Sequence, residues 1–163
     1  MDIDEALWNR LKPLAGRVFG SSLHFAMATT NPDGTPHLTP IGSLILTDPG
    51  DAYFFEVLTR QLPRNLDSGS PLAVLGVISS LRLWVPSFAA GRFEIPPAFR
   101  LLGVAGERRS STPEERVRWQ RKVRYLRWTR GSKVLWASLD AVRELHFHQL
   151  QPVKIGSMTT ELF

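Results

Sequence analysis

The 163-residue sequence predicts a mainly β fold with flanking helices, an α+β domain built on a small antiparallel barrel. Three observations carry the prediction. Short apolar runs are separated by turn signals at Asn31-Pro32-Asp33-Gly34 and Asp48-Pro49-Gly50-Asp51. The connections between the first runs are too short for parallel crossovers, so those strands run antiparallel. Helical signals are confined to the N-terminus, a short piece near residue 60 and one long segment after Thr112. An up-and-down barrel closes its own edges and so accommodates many short strands without a second sheet.

Each element has its own warrant. Ile3, Leu7, Leu11, Leu14 and Val18 recur at helical spacing, which predicts an amphipathic helix over 3–18, with Asp2, Asp4 and Glu5 at its positive end and Pro13 kinking or splitting it. A strand is expected over 23–29, a second over 36–46 and a third over 52–58. Residues 60–67 read as a short helix, with Pro63 tolerable only in its first turn. The continuous apolar run 72–78 reads as a buried strand. Pro86, Gly91, Pro96 and Pro97 break any regular element over 81–97, and 99–107 resumes as a strand. Thr112-Pro113-Glu114-Glu115 combines a cap, a proline at the first helical position and a capping-box glutamate, which predicts a helix from there to about Trp128. Segments 134–139 and 142–150 read as closing strands. The chain divides into an N-terminal helical arm, 1–19, and a barrel domain, 20–163.

Composition narrows the function classes. With 43% hydrophobic residues the chain can bury a sizeable core, which excludes intrinsic disorder. The absence of cysteine excludes a disulfide scaffold, a cysteine zinc finger and a thiol nucleophile. The acidic N-terminus is unlike a signal peptide and no apolar run reaches spanning length, so a soluble, cytoplasmic protein with no membrane partner is expected. There is no Walker phosphate loop, no GxGxxG and no GxSxG elbow. The net charge of +5 is local: ten of the 20 Lys and Arg lie between Arg108 and Lys133 against Glu114 and Glu115, and the remainder is net acidic.

That basic segment admits two readings. Its arginines interleave with Trp119, Tyr125 and Trp128, as in a platform that meets phosphates and stacks bases, so a flavin-free protein using helix 113–130 for nucleic acid or another polyanion is the second function class. The favoured reading is a packed amphipathic helix with Trp119, Val123 and Leu126 on a buried stripe and no nucleic-acid role. His146 and His148 share a strand face, which as a metal pair would need a third ligand; a plain strand face is favoured, and no metal site is expected.

The most informative stretch runs from Gly34-Thr35-Pro36-His37-Leu38-Thr39-Pro40-Ile41-Gly42 through Tyr53-Phe54-Phe55-Glu56 to Thr59-Arg60-Gln61-Leu62-Pro63-Arg64-Asn65-Leu66 and Ser70-Pro71-Leu72. Arg60 and Arg64, with Thr59 and backbone N–H groups at a helix start, suit a phosphate dianion; taken alone they read better as two solvated arginines on a short helix. The order of these motifs, with Phe99 to Glu107 and Thr112 to Glu115 following, resembles the pyridoxamine 5'-phosphate oxidase-like split barrels that bind flavin mononucleotide (FMN), over roughly residues 20–158. The resemblance implies a homodimer with a flavin in each interfacial cleft and oxidoreductase chemistry on a small-molecule substrate. It implies that Thr39, Pro40, Ile41 and Gly42 offer backbone to the ring, that Phe55 and Glu56 flank the ring and ribityl chain, and that Thr59, Arg60, Arg64 and Asn65 hold the phosphate. Haem and a deazaflavin are the other cofactors weighed. The chain departs from the pattern at Leu62, where a lysine is common, and at Glu56, whose charge repels phosphate unless Arg64 neutralises it. No catalytic acid or base is assigned; His37 is the one side chain of the second strand that titrates near neutral pH. Five tryptophans in a small chain add to the expectation of a dimer.

Overall fold

The computed structural model describes residues 1–57, 60–126, 128–135, 138–160 and 162, and for 132, 133 and 135 the backbone alone. Helix α1 (Glu5–Ser22) opens the chain. Asp4 caps it by accepting from the Leu7 N–H at 2.7 Å. Pro13 lies inside α1 without ending it. Its exposed position leaves the carbonyl it orphans within reach of water. The buried stripe Trp8, Leu11, Ala15, Val18 and Phe19 joins the same core as the strands.

Seven strands follow in one antiparallel sheet: β1 (Phe25–Thr30), β2 (Pro36–Ile41), β3 (Ile45–Leu46), β4 (Asp51–Phe55), β5 (Leu72–Val77), β6 (Ala98–Ser110) and β7 (Ala141–Pro152). Their spatial order is β2-β1-β5-β6-β7-β4-β3. The β1–β2 hairpin closes on the expected turn, with the Gly34 N–H donating to Asn31 O at 2.9 Å and Gly34 at φ +83°. The single strand expected over 36–46 is instead two, and the third meander strand does not pair with the second. The chain leaves β2 at one sheet edge, crosses through Gly42–Leu44 and starts β3 at the other. An up-and-down order is thereby replaced by a split one. At the β3–β4 turn Gly50 has φ +85° and a Cβ there would meet Phe147 O at 2.8 Å, so this turn requires glycine.

Helix α2 (Gln61–Asp67) lies where the short helix is expected, packed on β1 and β6. Segment 81–97 holds a helix the prolines concealed, α3 (Leu81–Ala90). Pro86 sits on its exposed side, and Trp84 anchors it by donating from Nε1 to Ile78 O at 2.6 Å and meeting Phe93 edge-on at 5.2 Å. Helix α4 (Pro113–Lys122) has the full capping box, Thr112 and Glu115 each bonding the other's backbone, but ends earlier than expected, at Val123. The strand expected over 134–139 is not formed. Arg130–Leu135 is helical (α5), and 136 and 137 lie outside the described residues. Both edges of β7 are taken, by β6 and β4, so no partner remains there for another strand.

The core runs through the sheet and under both long helices. Trp119 is fully buried, 5.6 Å from Phe19 and 6.2 Å from Phe55, and Val123 is buried beside it. Trp128, by contrast, is 83% exposed. Among the described residues no helix is long and apolar enough to cross a membrane.

Candidate functional site

Ser43, in the link from β2 to β3, closes that link onto the end of β4. Its buried hydroxyl accepts from the Phe55 N–H at 3.0 Å and donates to the Phe55 C=O at 3.2 Å, so one side chain meets both backbone groups of Phe55. Gly42 precedes it where a Cβ would lie 3.2 Å from Leu23 O. Lys122 ties α4 to the same seam, donating to Leu44 O at 3.3 Å with its ammonium 4.7 Å over the Phe19 ring. Burial pushes that ammonium below the usual lysine value.

Of the residues expected to form a cofactor site, Phe55 lies on this seam, while Asn65 docks at the other end of the β1–β2 hairpin. Thr39 is buried on β2, 2.9 Å from His37 Nε2; Ile41 is buried and Pro40 exposed. Strand β2 ends the sheet, so one row of its backbone groups has no strand partner. Phe55 presents backbone to the seam, while its ring is in the core against Trp119 and Tyr53. Leu62 is fully buried as the anchor of α2, so its side chain does not face solvent as a phosphate-binding lysine would. Asn65 is also fully buried: its amide donates to Thr29 Oγ1 and Asn31 Oδ1 and accepts from Gln61, which docks α2 onto the end of β1. Thr59 lies outside the described residues.

Glu56 is where the structure differs most from expectation. Arg64 does not neutralise it. Its carboxylate, 3% exposed, receives Arg108 Nε at 2.6 Å and Arg143 at 3.4 Å, and Arg143 also donates to Asp67 Oδ1 at 2.6 Å. Two carboxylates and two guanidiniums cancel, so the cluster presents no net charge. Arg60 and Arg64 are exposed, and neither makes an ion pair among the described residues. No local pattern points to Arg108 or Arg143, which lie 52 and 87 residues from their partner Glu56.

A second polar cleft lies between the β3–β4 turn, β7 and the start of α4. Arg109 bonds Glu115 at 2.7 Å and Glu144 at 2.6 Å, and Glu115 and then Glu144 hold its guanidinium above the usual arginine value. The same hydrogen bond from Arg109 holds the Glu115 carboxyl below the usual carboxylate range. His146 pairs with Asp51 at 2.8 Å, while His148 is exposed on the same strand. Among the described residues no three metal-binding side chains gather.

Of the expected phosphate donors, the Asn65 amide is bonded within the fold, while Arg60 and Arg64 make no ion pair among the described residues and Glu56 is held by Arg108 and Arg143, so two guanidiniums are available to an anion such as a phosphate.

No family model matches the chain, and no curated protein does. Solved structures do. An FMN-binding protein from Syntrophomonas wolfei superposes with a TM-score of 0.58 at 12% identity, over 93% of this chain and 91% of the other. A candidate pyridoxamine 5'-phosphate oxidase from Lactobacillus delbrueckii gives 0.51 at 20% identity, over 93% and 99%. A heme binding protein from Mycobacterium smegmatis gives 0.53 at 17% identity, over 88% of this chain and 54% of that one. With its seven-stranded sheet split at Ser43 and helices packed around it, the chain has the fold of the pyridoxamine 5'-phosphate oxidase-like split barrels.

Proposed function

We propose that this protein binds a flavin mononucleotide-type cofactor beside the β2–β4 seam and acts as an oxidoreductase on a small molecule. One observation carries the reading: Glu56 is satisfied by Arg108 and Arg143, and Arg60 and Arg64, on the helix that Asn65 docks onto the end of β1, make no ion pair among the described residues. Arg60 and Arg64 hold the phosphate, and Thr39 to Gly42 offer backbone to the ring. Ser43 keeps the two edges at a constant separation, and Phe55 excludes water beneath. When bound, the flavin supplies hydride acceptance and donation at its N5.

The cleft is completed by a second copy. The register places Ala26 beside Pro40 and Leu75, and Ala28 beside Leu38 and Ala73, on the outer sheet face. Leu38 is 67% exposed there and Val104 continues the face on β6. An apolar sheet face of this kind suits a homodimer interface.

The spectrum of the purified protein tests the reading. Oxidised flavin bands support it, while a Soret band replaces flavin by haem. Arg64→Ala is expected to weaken FMN binding about tenfold to a hundredfold, the worth of a charge-assisted contact, whereas Arg124→Ala on the basic segment leaves it unchanged. Equal losses place the phosphate elsewhere.

The polyanion reading draws on a different observation, the exposure of Tyr125 and Trp128 among exposed Arg121 and Arg124. Titration with fluorescent oligonucleotides at two salt concentrations decides it. Saturable binding at the higher salt that is lost in R121Q/R124Q would make it the primary function.

A further inference from the structure

We propose that the cavity between the C-terminal end of α1, helix α3 and loop 92–95 is a binding site for a small amphipathic anion, a carboxylate joined to an apolar body. The cavity measures about 660 Å3, within the size of small-molecule sites, and shares no lining residue with the cofactor cleft. The proposal therefore stands independently of the flavin reading.

Two kinds of wall meet in it. Ile78, Leu83, Pro86 and Ile95 form the apolar side. Arg17 from α1, Arg82 from α3 and Arg92 from the loop line the other, all three exposed, and Glu94, also exposed, is the single acidic residue of the lining. Among the described residues none of the three guanidiniums makes a hydrogen bond or ion pair, and Glu94 makes none either. This is unlike Arg108, Arg109 and Arg143, each of which is bound to carboxylates. Water screens these exposed like charges from one another, and an anion in the cavity gains from the field of all three.

Two further groups point the same way. Ser87 lines the cavity, and among the described residues its hydroxyl has no protein partner, so its oxygen is open to the cavity as a donor or acceptor for a ligand atom. Ser80, at the start of the ten-residue helix α3, makes no capping bond and also lines the cavity, which leaves the positive end of that helix open to a negative group. The net positive lining selects an anion, and the apolar wall adds affinity for a hydrocarbon or ring that a bare inorganic ion lacks.

Calorimetric titration of the full chain with octanoate tests this, with acetate and 1-octanol supplying the charge and the apolar body separately. Octanoate is expected to bind once per chain, with acetate and octanol each at least about tenfold weaker. R82A/R92A should weaken octanoate about tenfold to a hundredfold, whereas R121A/R124A, which removes the same charge from the basic segment, leaves it unchanged. Ser87→Leu should weaken octanoate at least about tenfold by removing the hydroxyl and placing a branched side chain at the cavity wall, with circular dichroism unchanged, and it carries the test if the arginine variant fails to fold. FMN should not compete. The proposal is overturned if octanoate binds no better than acetate or octanol, if the two double variants lose affinity equally, or if FMN displaces octanoate.

Discussion

Replacing Ser43 by alanine removes one oxygen and leaves the buried Phe55 N–H without a partner, while Phe55 O keeps the Val57 N–H at 3.0 Å. A buried donor left unmet costs about 1–3 kcal/mol. For a chain of this length each kcal/mol lowers Tm by about 2–4 °C, so a fall of roughly 2–12 °C is expected. The built-in control is Ser87→Ala. The two serines are 5% and 6% exposed, but Ser87 has no side-chain hydrogen bond among the described residues, so the same atom deletion there should move stability by no more than about 0.5 kcal/mol. Paired thermal and urea unfolding of the two variants measures the difference. If Ser43→Ala costs no more than Ser87→Ala, the seam is held by packing, and the hydroxyl does not close the barrel. FMN affinity measured on folded Ser43→Ala reports separately whether the spacing of the two edges matters to the cofactor.

Three other outcomes follow from the same geometry. Glu56→Gln leaves Arg108 and Arg143 facing a neutral amide, with Arg143 buried, and should cost about 2–4 kcal/mol in urea unfolding; a change below about 0.5 kcal/mol would mean that Asp67 alone suffices for Arg143. Because Arg109 holds Glu115 below its ordinary value of 4.5, this pair stabilises the fold at pH above that value, and the contribution is lost as pH falls below it through the lowered folded-state value. Arg109→Gln should therefore flatten the acid side of a stability-versus-pH curve and leave its neutral-to-alkaline shape intact, and an unaltered acid limb would contradict the assignment. Leu38→Asp, on the exposed outer face of β2, should shift the protein from dimer to monomer in light scattering without lowering its helix and strand content, whereas a wild-type protein already monomeric at micromolar concentration removes the interfacial cleft.

Local chemistry alone determined a good deal of this protein. The capping box at Thr112, the glycine turns at 34 and 50 and the Trp119–Val123 stripe depend on neighbours within a few residues, and each lies where pattern places it. The mainly β class with outer helices followed from the same signals. Tertiary structure decided the rest, because the deciding partner is distant in the chain. Residues 36–46 read as one strand, and only the closure of Ser43 onto Phe55 shows why they divide between opposite sheet edges. Prolines hid α3, since a proline on the exposed side of a helix loses its bond to water while Trp84 supplies the anchoring. Glu56 looked like an obstacle to phosphate in sequence. Folding surrounds it with Arg108 and Arg143, and a charge is neutralised by what lies within a few ångströms of it, whatever its distance along the chain.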